Sequence, residues 1–272
     1  PFFEAGWNRH SIKRVQITMA ERFGVAGRGR FYEEVGAIRD VVQNHLLMVT
    51  ACLAMEQPSG KDHESIREER VKVLKMIRPL IPSEVVRGQF LGYRREGGVA
   101  PDSQVETFAA LRFYVDSERW AGVPFYVRTG KCLPVTATEV LVEFKRSCCP
   151  VLDETERPLP NYFRFRLSPD VMIALGTTTK VPGEAMVGEQ IELVARHCSG
   201  DEMDAYERLL GDAMKGHATL FARGDGVEAA WHVVQPILET PTSLHEYEPN
   251  TWGPREADRL IEGGWHNPQV AE

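Results

Sequence analysis

The sequence predicts an α+β fold: a large, mainly antiparallel β-sheet with helices packed on one face. Three observations indicate this fold. Apolar residues recur every three to four positions near both ends of the chain, as they do along a buried helix face. The middle of the chain carries the shorter period of strands. Strands and helices also come in separate runs without strict alternation, and this order favours an antiparallel sheet.

The longest predicted helix covers residues 33–55, where apolar side chains keep a three-to-four spacing and should form a buried stripe. A Gln-Pro-Ser-Gly segment at residues 57–60 ends it. A charged and partly exposed helix should follow from residue 62 to residue 80. Three more helices are expected at residues 201–214, 227–237 and 255–261.

The strands are expected mainly in the middle of the chain, where turn residues separate short apolar segments. One earlier strand, from Val15 to Ala20, precedes the first helix. Because the middle strands follow each other directly, they should pair mostly with their neighbours. The predicted middle strands are residues 85–93, 107–116, 123–129, 139–145 and 162–167.

Composition favours a folded, soluble and cytoplasmic protein. The chain has 272 residues, of which 43% are hydrophobic, enough for a substantial core. The net charge is -7 and no long basic block occurs, so a nucleic-acid partner is not expected. No apolar run approaches the roughly 20 residues that cross a bilayer, so no membrane partner is expected. The five cysteines lack a Cys-x-x-Cys spacing, which favours reduced thiols and predicts no metal site.

The best clue to chemistry is an acid and a histidine, Asp40 and His45, within the first predicted helix. Histidine is the side chain best suited to take a proton at neutral pH, and a helix holds it in a definite orientation. The alternative is a histidine buried in the core with its hydrogen bonds satisfied. In an α-helix the two residues lie about one and a half turns apart, so their side chains need not share a face.

Several motifs around this pair occur in an order that is typical of one family. With these motifs the sequence resembles glucose-6-phosphate dehydrogenase, and the resemblance runs from Trp7 to Asp258. Motifs in the right order are far more specific than any one of them alone. The main ones are residues 20–25, 27–32, 39–47 and 123–131.

Members of this family begin with a doubly wound nucleotide-binding domain that contains a glycine-rich turn. Here Gly27-Arg28-Gly29 has no apolar strand leading into it, and the family's Asp-His-Tyr-Leu-Gly-Lys motif is missing. We therefore expect residues 1–272 to be the carboxy-terminal substrate-binding and dimerisation domain without its NADP-binding domain. The isolated chain should then lack turnover.

The resemblance also implies roles for single residues. It implies oxidation of β-D-glucose 6-phosphate to 6-phosphoglucono-lactone, with hydride transfer to NADP, in the oxidative pentose phosphate pathway. His45 matches the general base. Glu21 and Asp40 match residues that bind sugar hydroxyls, and Lys131 matches a substrate-contacting lysine. The absent domain would make most of the contacts to NADP, and it would supply an aspartate that orients His45.

Each substrate-binding assignment has a plainer alternative. For Asp40 it is a solvated helix carboxylate, for Glu21 an exposed charge at a strand end, and for Lys131 a charge that guards a sheet edge. Thr136 stands where many members have a lysine or an arginine. Thr136 and the absent domain favour a second hypothesis, a non-catalytic dimerisation or interaction module. The retained carboxylates and His45 favour the enzyme.

A large sheet with helices on one face leaves its other face to be covered by something else. Exposed apolar surface of this kind usually marks an interface between subunits. The resemblance implies a homodimer or tetramer that forms through the β-sheet. The alternative is that loops of the same chain cover the second face.

Overall fold

The computed structural model describes residues 4–60, 62–146, 160–183, 186–196 and 205–269. Within these ranges nine strands form a single sheet. In chain order the strands are β1 (Ile12–Ala20), β2 (Val85–Phe90), β3 (Phe108–Tyr114), β4 (Pro124–Gly130), β5 (Ala137–Phe144), β6 (Tyr162–Ser168), β7 (Met172–Lys180), β8 (Gly188–Arg196) and β9 (Leu244–Tyr247). Across the sheet they lie in the order β8-β7-β6-β5-β1-β4-β3-β2-β9.

Six of the eight strand pairings in the described sheet are antiparallel, which confirms the predicted mainly antiparallel architecture. The two exceptions are parallel: β1 pairs with β4, and β2 pairs with β9. Each of the six predicted strands overlaps a strand of the structure. The pattern does not predict β7, β8 or β9. β8 has no buried position, so it lacks the apolar alternation on which such a prediction depends.

The predicted helix at residues 33–55 is three consecutive helical segments. Its first segment contains a break at Gly36, whose φ of 62° and ψ of 177° are not helical. Apart from short 3₁₀-helices, the described helices are α1 (Gly29–Ala37), a π-helix (Ile38–Leu46), α2 (Leu47–Ala54), α3 (His63–Met76), α4 (Ala205–Lys215) and α5 (Gly224–Glu239).

The other helix predictions differ from the structure mainly at their ends. α3 stops at Met76, four residues before the predicted end, because Ile77 is extended. The predicted helix at residues 255–261 is a 3₁₀-helix, Arg255–Leu260. Part of the predicted helix at 201–214 lies outside the described residues, and the rest corresponds to α4.

Helices cover one face of the central sheet, as predicted. Val15 and Ile17 of β1 and Val127 of β4 are fully buried in one apolar cluster. Leu47 of α2 and Val233 of α5 belong to the same cluster and close it from the helix side. Burial of this apolar surface is the main stabilising contribution to the domain.

The last described segment of the chain crosses the opposite face of the sheet. Arg128 donates a hydrogen bond to the carbonyl of His266 at 2.7 Å, and Arg166 donates one to the carbonyl of Gln269 at 2.6 Å. The His266 ring lies 2.7 Å from the carboxylate of Glu139. A loop of the same chain therefore lies across the middle of this face.

Exposed apolar residues lie on the helix-side face of the outer strands. Phe165 of β6 pairs with Ile173 of β7, and Phe163 pairs with Leu175, which in turn pairs with Leu193 of β8. Directly opposed residues of antiparallel strands share a face, so these rows continue outward from the core. Ile173 is 46% exposed and Leu193 is 57% exposed.

Candidate active site

The parallel pairing of β1 and β4 brings two predicted site residues together. Ala20 at the end of β1 is level with Gly130 at the end of β4. The next residue of each strand carries a charge, and the two charges form an ion pair: Lys131 Nζ lies 2.6 Å from Glu21 Oε2. Parallel strands end at the same edge of a sheet, which explains why residues far apart in sequence meet here.

Lys131 is held on two further sides by aromatic rings. Its Nζ lies 5.2 Å from the ring centroid of Phe23 and 4.9 Å from that of Tyr32, distances that give attractive cation–π contacts. The residue is only 3% exposed. The alternative of an exposed charge that guards a sheet edge is therefore wrong. Glu21 is half-buried, so it is not a fully solvated strand-end charge either.

Asp40 belongs to the same charged neighbourhood. Burial raises the pKa of Tyr32 well above its ordinary value, and the nearby carboxylates of Glu21 and Asp40 raise it further. The phenol of Tyr32 is therefore protonated at neutral pH and lies within electrostatic reach of both acids. Asp40 itself is half-buried. This environment argues against a freely solvated helix carboxylate.

The π-helix changes the relation between Asp40 and His45. Its hydrogen bonds join residues five apart, as between the Leu47 amide and the Val42 carbonyl. Residues five apart therefore lie about one turn above each other, so Asp40 and His45 share one side of the helix. In an α-helix this would not follow. His45 is exposed, and the alternative of a histidine buried in the core is therefore wrong.

The edge of the sheet and the adjoining helix thus offer three kinds of chemical group from four residues. Glu21 and Asp40 supply carboxylates, which accept several hydrogen bonds from a polyol. Lys131 supplies a fixed ammonium group. His45 supplies an exposed imidazole that is able to take a proton.

Comparison with known proteins identifies the family to which the chain belongs. Residues 1–267 match the family described as "Glucose-6-phosphate dehydrogenase, C-terminal domain". The chain belongs to the glucose-6-phosphate dehydrogenase family. It is 42% identical over 267 residues to glucose-6-phosphate 1-dehydrogenase 1 of Mycobacterium tuberculosis, with 96% of this chain and 57% of that protein covered. It is 44% identical over 280 residues to glucose-6-phosphate 1-dehydrogenase of Aggregatibacter actinomycetemcomitans, with 96% and 56% covered.

Solved structures of the same family share the fold. A crystal structure of glucose-6-phosphate 1-dehydrogenase from Mycobacterium avium matches with a TM-score of 0.92 and 39% identity, and it covers 100% of this chain and 59% of that one. A glucose-6-phosphate dehydrogenase in complex with its substrate glucose-6-phosphate matches with a TM-score of 0.88 and 32% identity, covering 98% and 58%. The chain spans a little over half of the length of these relatives.

Thr136 lies beside the candidate site. Its Oγ1 accepts a hydrogen bond from the backbone amide of Arg22 at 3.0 Å, next to Glu21. The side chain is exposed. The hydroxyl of Thr136 therefore supports the backbone next to Glu21 and adds no charge to the site.

Phe23 and Tyr32 lie in the motifs at residues 20–25 and 27–32, but the sequence alone assigns no role to either ring. Both rings lie in segments that follow Glu21 in the sequence, but their contact with Lys131 depends on strand pairing, which the sequence pattern does not reveal.

The glycine motif at residues 27–29 has a packing role. A Cβ on Gly29 would lie 2.4 Å from the carbonyl oxygen of Gly97, so only glycine allows this close approach.

The described ranges contain neither a candidate metal site nor a candidate membrane-spanning helix. Among these residues, no group of three or more His, Cys, Asp or Glu side chains is arranged to hold a metal ion. No helix in the described part of the chain is both long enough and apolar enough to span a membrane.

Proposed function

We propose that this chain is the substrate-binding and catalytic-base part of an NADP-dependent glucose-6-phosphate dehydrogenase. The parent enzyme oxidises β-D-glucose 6-phosphate to 6-phosphoglucono-lactone. The observation that carries this proposal is the buried ion pair of Lys131 with Glu21, beside Tyr32, which also lies within electrostatic reach of Asp40. The π-helix that carries Asp40 also carries the exposed His45. A relative solved in complex with glucose-6-phosphate, with a TM-score of 0.88, supports the choice of substrate.

In this proposal the carboxylates and the lysine orient the sugar, and His45 removes a proton. Glu21 and Asp40 accept hydrogen bonds from sugar hydroxyls, while Lys131 donates to a substrate oxygen. The anomeric hydroxyl must lose its proton as the carbonyl forms, and the exposed imidazole of His45 accepts it. The shared side of the π-helix keeps the base beside the carboxylate of Asp40.

The turn at residues 27–29 does not fit the phosphates of a dinucleotide. Gly29, the glycine that would approach a phosphate in a glycine-rich turn, packs against the carbonyl of Gly97. We therefore assign NADP binding to the region of the parent that this chain does not cover, and expect the isolated 272-residue chain to produce no NADPH. We also propose a cytoplasmic location and a role in the oxidative pentose phosphate pathway, both supported by family membership alone.

The base assignment is tested in the full-length parent with His45→Asn. We expect kcat to fall about 100-fold to 10,000-fold, the usual contribution of a positioned general base. NADPH absorbance with glucose 6-phosphate measures it. His232→Asn, which changes an exposed histidine of α5, is the matched control. Equal rates for His45→Asn and the unmodified enzyme would rule out His45 as the base.

We propose a homodimer or tetramer that forms through the outer part of the sheet. The exposed side chains of Ile173 and Leu193 support this, because apolar surface of this kind usually marks an interface. Leu193→Glu should dissociate the assembly, as measured by sedimentation velocity. Leu91→Glu, at an exposed leucine away from these strands, should leave it intact. An unchanged sedimentation coefficient for Leu193→Glu would contradict this interface.

A non-catalytic dimerisation or interaction module is the second candidate. Thr136 favours it, because a phosphorylated sugar is bound best by charged donors and the hydroxyl brings none. The same assay decides between the two candidates. A full-length parent that assembles normally but reduces no NADP with glucose 6-phosphate would support the module.

A further inference from the structure

The break at Gly36 leaves the start of the next helical segment in need of hydrogen-bond acceptors, since the first amides of a helix have no partner within it. Glu106 supplies two of them from a distant part of the chain. Its backbone carbonyl accepts the amide of Ala37 at 2.9 Å, and its Oε1 accepts the amide of Ile38 at 3.2 Å. One residue thus caps the segment with its main chain and its side chain together.

The carboxylate of Glu106 is fixed from its other side by Arg87. Arg87 Nε and Nη2 donate to Oε2 at 3.1 and 2.9 Å, a two-pronged contact of defined direction. Arg87 also donates to the backbone carbonyls of Gln104 and Thr242. Glu106 is 4% exposed and Arg87 is 8% exposed. The acid therefore has little freedom to turn away from the helix.

The absence of a side chain at Gly36 permits the contact between Glu106 and the amide of Ile38. A Cβ at this position would lie 2.6 Å from Glu106 Oε1, closer than real Cβ atoms approach, and the residue also has a positive φ. Only glycine allows the carboxylate to reach the amide of Ile38. The break at Gly36 and the carboxylate of Glu106 therefore act together at the start of the π-helix.

We propose that Glu106 is a positioning residue that holds the π-helical register and so keeps Asp40 and His45 on one side of the helix. The inference rests on the proposed function and extends it to a residue that does not touch the substrate. Asp40 lies in the first turn after the anchored amide, and His45 lies one turn further on. A segment released at its start relaxes toward the ordinary α-helical register, in which the two side chains diverge.

The test compares Glu106→Ala in two versions of the full-length parent, one with His45 and one with His45→Asn. With His45 present, we expect kcat to fall about tenfold or more. With His45→Asn, orientation of the ring no longer matters, and the same change should cost less than about threefold. Such non-additivity is the signature of one residue that acts through another. A merely structural defect lowers both backgrounds by the same factor.

Glu106→Gln repeats the comparison with a smaller disturbance if the alanine variant does not fold. Glu143→Gln is the matched control. Glu143 is also buried and paired with an arginine, Arg14, but it lies in β5 away from the π-helix. Its effect should be the same factor in both backgrounds. Equal factors for the Glu106 variants would overturn the positioning role alone. A wild-type rate for His45→Asn itself would overturn the proposed function and this inference together.

Discussion

The inner and outer parts of the sheet are built differently. β4 is buried at six of its seven positions, whereas β8 is buried at none of its nine. The inner part is packed on both faces, so it fixes Lys131 against Glu21 within hydrogen-bonding distance. The outer part leaves Leu193 exposed. One continuous sheet thus combines a rigid support for charged groups with a surface suited to another subunit.

The largest expected effect is on the free energy of unfolding, when a leucine is replaced by alanine in the inner part and, for comparison, in the outer part. Leu111→Ala in β3 removes a fully buried side chain of the main core and should lower the free energy of unfolding of the chain by about 2–5 kcal/mol. Leu193→Ala in β8 should lower it by less than about 0.5 kcal/mol in the monomer. Urea denaturation measures both. Similar losses would mean that the two parts are equally packed.

The ion pair at the inner edge provides the second test. Lys131→Met leaves the carboxylate of Glu21 without its partner, and we expect the free energy of unfolding to fall by about 1–3 kcal/mol. Lys131→Met combined with Glu21→Gln should recover most of this loss because no unpaired charge remains. The KM of the full-length parent for glucose 6-phosphate should rise in the single variant and stay raised in the double variant, because both lack Lys131. Recovery of KM in the double variant would show that Lys131 does not contact the substrate.

A smaller effect separates the ring of Tyr32 from its hydroxyl. Tyr32→Leu removes the aromatic face beside Lys131 and should raise the KM for glucose 6-phosphate about twofold to fivefold, as expected for one cation–π contact. Tyr32→Phe keeps the ring and should leave KM unchanged. Steady-state kinetics of the full-length parent measures both variants. If Tyr32→Phe raises KM as much as Tyr32→Leu does, the hydroxyl is the important group.

The smallest expected effect is limited to low pH and concerns Glu139, between the two parts of the sheet. Burial raises the pKa of Glu139, but His266, through its hydrogen bond and its charge, the charge of Arg164 and the hydrogen bond from Arg166 outweigh it and hold the pKa below its ordinary value of 4.5. A lowered pKa in the folded state stabilises the fold above pH 4.5, and this contribution is lost as the pH falls through the folded-state pKa.

Glu139→Gln should therefore flatten the decline of unfolding free energy below pH 4.5, as measured by urea denaturation at a series of pH values. Glu246→Gln, which changes an exposed glutamate of β9, is the control and should keep the wild-type slope. An unchanged slope for Glu139→Gln would show that this carboxylate contributes little to the acid sensitivity of the fold.

The fold was largely predictable, but the geometry of the site was only partly so. The spacing of apolar residues predicts the helical segment that carries Asp40 and His45. It cannot predict the π-helix, because that register depends on Gly36 and on the distant side chain of Glu106. The meeting of Glu21 with Lys131 likewise depends on the parallel pairing of β1 with β4. Local periodicity carries no information on that pairing.

The central position of β1 also has a consequence for how the chain is made. Thr18 of β1 is paired with Arg128 of β4, about 110 residues later in the sequence. At roughly 5–20 residues per second, the ribosome needs about 5–20 s to produce that partner. During this interval an apolar segment with both edges open waits for the strands on either side of it. Nascent β1 is therefore the part of this domain that most needs protection from aggregation during translation.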